Sequence, residues 1–279
     1  MTRLLRSPVP WLLGAVLLAG PLAAQGEKIT LNLRPAPNQV IRAGMTQRMA
    51  FDMTAEGLPN GPMKIEGLTA LQGIQRIGAP DAQGIITGEF TIDSVTMDML
   101  LNGSPMPVLP MESLKGQTVA VSFDSTGKLL DVKGTAENET MLSAMKNMIG
   151  RLVGSLPNAT LAIGDTVSAP LSMAIPIPNL GLGTQTNLEG RSRFKLVAIG
   201  RDGSDRIATL ELATEATMSG SVDMHMTGSG SMQWNVEKGF VKTGNNDMKV
   251  EMTMTLPGAG AMHMSGTILM TMTGESRAP

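Results

Sequence analysis

The chain has no cysteine and no tyrosine, and it holds only two histidines, two tryptophans and five phenylalanines. Without cysteine there is no disulfide, no thiolate metal site and no cysteine nucleophile. With so few histidines, a serine–histidine–acid constellation lacks a poised base. Asp and Glu are scattered without a spacing that sets any pair apart from a solvated surface. Aromatics at 3% leave few platforms for sugars or bases, and no basic run is present to neutralise phosphates. Nucleic acid is therefore excluded as an expected partner. A phosphate loop and a dinucleotide fingerprint are also missing, since Gly181-Leu182-Gly183 does not open a helix and reads as a turn. We expect no catalytic residues, no cofactor and no enzyme.

The residue in excess is methionine, with 24 in all, and most fall on alternate positions. From 248 to 256 one face carries Met248, Val250, Met252, Met254 and Leu256, and the other Lys249, Glu251, Thr253 and Thr255. From 262 to 272 the pattern recurs with Met262, Met264, Gly266, Ile268, Met270 and Met272. A period of two marks a half-buried strand, because successive side chains leave it on opposite faces. Leaving such side chains in water forgoes roughly 1.5–3 kcal/mol each, so the stripe must face a core, a ligand or a partner.

Residues 1–24 read as a secretory signal peptide. Arg3 and Arg6 supply the charged start, Trp11 to Leu22 a short interrupted apolar run, and Leu22-Ala23-Ala24 small residues for cleavage. The expectation is a soluble exported protein, periplasmic or extracellular, forming one β-rich domain over 25–279. With both leader arginines removed, 20 basic residues face 24 acidic ones, a net charge of −4.

Strand patterns fill most of the mature chain. Ile29, Leu31 and Leu33 alternate until Pro35 and Pro37; Met45, Met49, Phe51 and Met53 share a face with Gln47. Phe90 and Ile92 keep one phase while Val95, Met97 and Met99 keep the other, which predicts a bulge near Ser94. Val119, Val121 and Phe123 precede a tight-turn signal at 124–128. Later stripes are Phe194, Leu196, Ala198; Ala208, Leu210, Leu212; and Val222, Met224, Met226, with Gly/Asn clusters at 227–231 and 244–246 read as punctuation. One segment differs. Met141, Leu142, Met145, Met148, Ile149, Leu152 and Val153 are spaced by three and four, which predicts a helix over 137–155 that Pro157 stops.

The flanks of that helix echo each other. Val121 to Leu130 and Met232 to Val241 each read as strand, Asp or Asn, glycine-containing turn and return strand. Two related halves, 27–134 and 157–273, would give this echo; so would ordinary hairpin chemistry. Three stretches carry a wider likeness: Lys28 to Arg34 leading to Met45-Thr46-Gln47-Arg48-Met49, Leu114 to Gly134, and Leu156-Pro157 through Ile163-Gly164-Asp165-Thr166. They resemble a family of exported bacterial β-proteins of unknown function, built from an opening strand pair, a hairpin-then-helix segment and a proline-to-Gly-Asp turn. The chain departs from that pattern at Val40-Ile41-Arg42, where the family has an aromatic, and at Val167, where it has a tryptophan. More distantly, it is similar to the lipoprotein carriers and lipid-binding lipoproteins of bacterial envelopes, a fold-level analogy.

Both histidines sit between methionines, as Met224-His225-Met226 and Met262-His263-Met264. Thioether and imidazole suit copper(I), but on a strand each histidine points away from its flanking methionines. A metal site would need methionines from neighbouring strands, and none is assigned. The fold class expected is mainly β (α+β): a strongly curved antiparallel sheet or half-barrel with one long helix on its concave side. The leading function is sequestration of a lipid or acyl chain in a Met/Leu/Ile-lined cavity, because methionine lines pliable apolar sites. The expected lining is Met141, Met145, Met148, Ile149 and Leu152 from the helix and Met252, Met254, Met270 and Met272 from the strands. The proline-rich apolar stretches at 105–111 and 170–180 read as loops that cover the ends of the sheet, form a lip at a cavity mouth, or touch a membrane or envelope partner. The alternatives are a structural envelope protein with a solid core, and periplasmic copper handling through methionines.

Overall fold

A computed structural model describes residues 26–31, 35–55, 61–107, 111–124, 129–134, 159–175, 186–220, 222–256 and 260–277. The elements are β1 (Lys28–Leu31), β2 (Gln39–Ala55), β3 (Met63–Ile77), β4 (Ile86–Leu101), β5 (Ser104–Pro105), a 3-10 turn (Met111–Leu114), β6 (Thr118–Phe123) and β7 (Leu129–Gly134). They continue as β8 (Ala159–Ala162), β9 (Thr166–Ile175), β10 (Thr186–Asp202), β11 (Asp205–Met218), β12 (Val222–Asn235), β13 (Phe240–Leu256) and β14 (Gly260–Arg277). The helix expected over 137–155 lies outside the described residues; among these there is no α-helix.

The architecture is one large antiparallel sheet in the order β7-β6-β4-β3-β2-β14-β13-β12-β11-β10-β9, with β5 paired to β4. It is not closed into a barrel: among the described residues β7 and β9 are its two edges. An N-terminal meander and a C-terminal meander meet in the middle, where β2 and β14 pair over nearly their full length, from Val40↔Arg277 to Ala55↔Met262. A second, two-stranded sheet pairs β1 with β8. The first strand therefore crosses the chain to Ala159–Ala162 instead of forming an opening pair with β2.

Local chemistry accounts for the meander. At Leu101-Asn102-Gly103-Ser104 both central residues have positive φ, 50° and 78°. That is the primed turn whose twist matches a right-handed ribbon. Asn102 also ties the neighbouring strand, its Oδ1 accepting from the Lys64 amide at 2.7 Å. In β4, Ser94 opposes Gln72 while Ile92 opposes Gly73, so Asp93 is the extra residue of the bulge expected near Ser94. The phase change lets Phe90 and Val95 share a face.

Two sequence expectations fail in an instructive way. The Gly/Asn clusters at 227–231 and 244–246 do not end strands; they lie inside β12 and β13. Their glycines are sites of close approach. A Cβ on Gly228 would stand 2.9 Å from Met248 Cγ, and one on Gly230 would run into the Asn245 carbonyl. Likewise Pro170 to Ile175 is not loop but part of β9. Pro170 opposes Arg191 on an edge strand, the place in a sheet that tolerates a residue without an amide proton.

The largest cluster of buried residues lies at one end. Ile29, Leu31 and Leu161 of the small sheet are buried with Phe194, Leu196, Leu210, Met232 and Trp234 of β10–β12. Leu196 and Leu210 are 0% exposed, each side chain gaining roughly 1.5–3 kcal/mol from burial. Beside this core lies a knot of charge. Arg206 Nε donates to Glu237 Oε1 at 2.6 Å and its Nη1 lies 3.4 Å from Glu27 Oε1. Lys238 Nζ and Asn235 Nδ2 both reach Asp205 Oδ2 at 2.9 Å. Hydrogen bonds from Asn235 and then Lys238 hold the Asp205 carboxyl below its ordinary range. Burial pushes Glu237 up, but the hydrogen bonds from Arg206 outweigh it and its pKa is lowered.

Candidate functional site: a cross-strand methionine row

Register aligns the alternating stripes of separate strands into rows. Met63 of β3 opposes Met53 of β2, and Met53 opposes Met264 of β14. Met264 opposes Met252 of β13, Met252 opposes Met224 of β12, and Met224 opposes Met218 of β11. Six adjacent strands thus place six methionines side by side on one face. With neighbouring strands about 4.8 Å apart, the row is about 24 Å long. Immediately beyond it, Met254 opposes Met262 and Val222. Behind it run Ile65, Phe51, Gly266, Val250, Met226 and Ala216, and then Met99, Gly67, Met49, Ile268, Met248 and Gly228.

Where a glycine stands beside a methionine or phenylalanine of the next strand, the reason is steric. A Cβ on Gly67 would stand 2.8 Å from Met49 Cγ, and one on Gly244 would stand 3.1 Å from Met272 Cε. The thioether chains therefore lie down over glycines of the next strand. Phe51 does the same over Gly266, where a Cβ would stand 2.5 Å from its Cδ1. Unbranched methionine suits this because its three rotatable bonds let it fill irregular gaps.

Burial grades along the strands. Met218 and Val222 are buried with Leu188 and Ala216. Met53, Met63, Met224, Met252, Met254, Met262 and Met264 are half-buried, as are Met45, Met49, Met97, Met99, Met248, Met270 and Met272. The opposite face is polar and exposed: Asp52, His225, Lys249, Glu251, His263, Ser265 and Thr271 all reach solvent there. His225 opposes Glu251, and His263 Nδ1 lies 3.0 Å from Thr253 Oγ1. Neither histidine shares a face with the methionines.

The apolar face also carries polar side chains. Gln47 and Asn246 flank Met270 on adjacent strands, and Asn246 Oδ1 is buried with no hydrogen-bond partner among the described residues. Farther along, Ser192 and Thr214 satisfy each other at 3.2 Å. On the opposite, polar face a depression of about 100 Å³ lies among Gly44, Thr46, Ala70, Gln72, Thr271 and Thr273, well below the roughly 300 Å³ at which ligand pockets begin.

Of the residues expected to line a site, Met252 and Met254 lie side by side with Met264 and Met262. Met270 and Met272 are on the same face but nearer the core end, opposite Gln47 and Met45. Met141, Met145, Met148, Ile149 and Leu152 lie outside the described residues. Sequence reasoning singled out neither Met53, Met63, Met218 nor Met224 for the site. Each looks like one more alternating residue until register places it in the row.

These features define a class: an open antiparallel β-sheet protein with one thioether-rich apolar face and one polar face. No family model and no curated protein sequence matches the chain. Among solved structures, it is similar to one described as "lipid-protein interactions in lipovitellin", with 10% identity and a TM-score of 0.49 over 88% of this chain. The chain spans 26% of that protein's length. It is also similar to an outer-membrane channel from Pseudomonas putida F1, at 8% identity and a TM-score of 0.22, covering 87% of this chain and 97% of that one. Likeness at this level carries no argument about function.

Proposed function

We propose that this is an exported binding protein whose methionine face takes up an apolar ligand, a lipid or acyl chain, without covalent chemistry. The observation that carries the reading is the six-strand methionine row. It is a continuous apolar track about 24 Å long, half-buried except at the buried Met218, on the scale of an extended acyl chain. Thioether chains adjust to a flexible ligand with little directional demand. The remaining exposed apolar surface leaves water when a chain lies along it, and this supplies the driving force. Curvature of the sheet toward this face would deepen the track into the half-barrel expected from sequence.

Native mass spectrometry of gently purified protein, followed by titration with a fluorescent fatty acid, tests this. An added mass of a lipid or saturable probe binding is expected, weakened by Met53→Gln/Met252→Gln/Met264→Gln. A chain that carries no adduct and binds no added lipid would exclude the carrier and leave a structural envelope protein with a self-filled face.

A further inference from the structure

We propose a second binding site on the same face: a thioether site for a soft monovalent cation, Cu(I) or Ag(I). It is built from Met252, Met254, Met262 and Met264, with Met53 and Met224 on the flanking strands. The four central residues form a two-by-two block, Met252 opposite Met264 and Met254 opposite Met262 on β13 and β14. Met53 extends it through Met264 and Met224 through Met252.

Geometry permits convergence. Directly opposed residues of an antiparallel pair have Cβ atoms about 4.5–5.5 Å apart. Three sulfurs around one ion, at metal–sulfur bonds of about 2.3 Å, stand about 4 Å from one another. Each sulfur is two bonds beyond its Cβ on a freely rotating stem, so modest rotamer changes close that gap. All six side chains are half-buried, neither sealed in the core nor fully hydrated. Such an environment favours a weakly hydrated soft ion over a hard one.

The choice of residue supports coordination beyond packing. Strand positions favour β-branched and aromatic side chains, and Ile or Val would fill this face with better intrinsic propensity. Methionine supplies what they lack, a polarisable sulfur. Soft thioethers select Cu(I) among the common ions. The histidines adjacent in sequence, His225 and His263, are on the exposed polar face and take no part. The site shares its surface with the proposed acyl track but does not depend on that reading.

The test is titration of the metal-free chain with Ag(I) in chloride-free buffer by calorimetry, and with Cu(I) under anaerobic reducing conditions against a colorimetric chelator. Saturable binding is expected for both ions, with no response to Mg(II). Met252→Leu/Met254→Leu/Met262→Leu/Met264→Leu removes the sulfurs while nearly conserving apolar volume. It should lose the Ag(I) and Cu(I) site. Met97→Leu/Met99→Leu, on β4 of the same face, should keep the metal site. If the quadruple variant does not fold, Met252→Leu/Met264→Leu serves in its place. Metal binding that is absent in the wild type, or unchanged in the leucine variant, overturns the proposal. A wild-type chain that binds Ag(I) and Cu(I) but no fatty-acid probe would instead count against the acyl-chain reading alone.

Discussion

If methionine and phenylalanine chains lie across glycines of the next strand, the cost of filling a glycine depends on what occupies its missing Cβ. Gly67 and Gly266 give a matched pair, both inside strands and both on the apolar face. At Gly67 a new methyl would meet Met49, with Cγ at 2.8 Å and Sδ at 3.1 Å. That obstacle is a flexible side chain and not backbone, so Met49 can rotate away. The residual strain is then offset by the roughly 0.5–1 kcal/mol that alanine gains over glycine within an element. At Gly266 the methyl would meet the Ala50 carbonyl and the Phe51 Cα at 2.8 Å. Backbone cannot rotate away, and two central strands, β2 and β14, must separate locally. Overpacking of this kind costs about 1–3 kcal/mol. Gly266→Ala should therefore be less stable than Gly67→Ala by about 2 kcal/mol in urea-melting midpoints at unchanged slope. Met49→Ala should relieve Gly67→Ala but leave Gly266→Ala uncorrected. Equal melting of the two glycine variants would refute the interlocked face and with it the register that builds the methionine row.

Leu210→Ala, at a side chain that is 0% exposed, should lower stability by about 2–5 kcal/mol; Met264→Ala, at a half-buried position, should cost clearly less in the same denaturation assay. Gly103→Ala places a side chain at φ 78°, and loosening of the β4–β5 turn should appear as a loss of about 1 kcal/mol. The lowered pKa values of Asp205 and Glu237 make a stabilising contribution that is full above their unfolded values, near 3.8 and 4.5, and lost as pH falls through the folded ones. Thermal melts from pH 7 downward should fall in that acid window, and Asp205→Asn should flatten part of the fall. The triple glutamine variant of the methionine row should weaken fatty-acid binding while leaving the buried Trp234 fluorescence of the core end native-like.

Alternation alone determined that this chain is built from half-buried strands, because a period of two admits no other regular structure. It also placed the bulge beside Ser94, where the phase of the apolar residues changes, and put both histidines opposite their methionine neighbours. Those are properties of a single strand, and the covalent chain carries them. Three things were not local. No residue pattern within β1 expresses which strand lies beside it, and the opening pair expected with β2 gives way to pairing with β8. Mid-strand glycines read as turns, since the reason for them is a methionine or phenylalanine on the adjacent strand. Finally, the row from Met63 to Met218 sets Met53 against Met264, partners from opposite ends of the chain, and only hydrogen-bond register brings them together. Side-chain direction follows from the pleat of one strand, but a shared surface follows from pairing between strands, and that pairing is a long-range property of the folded sheet.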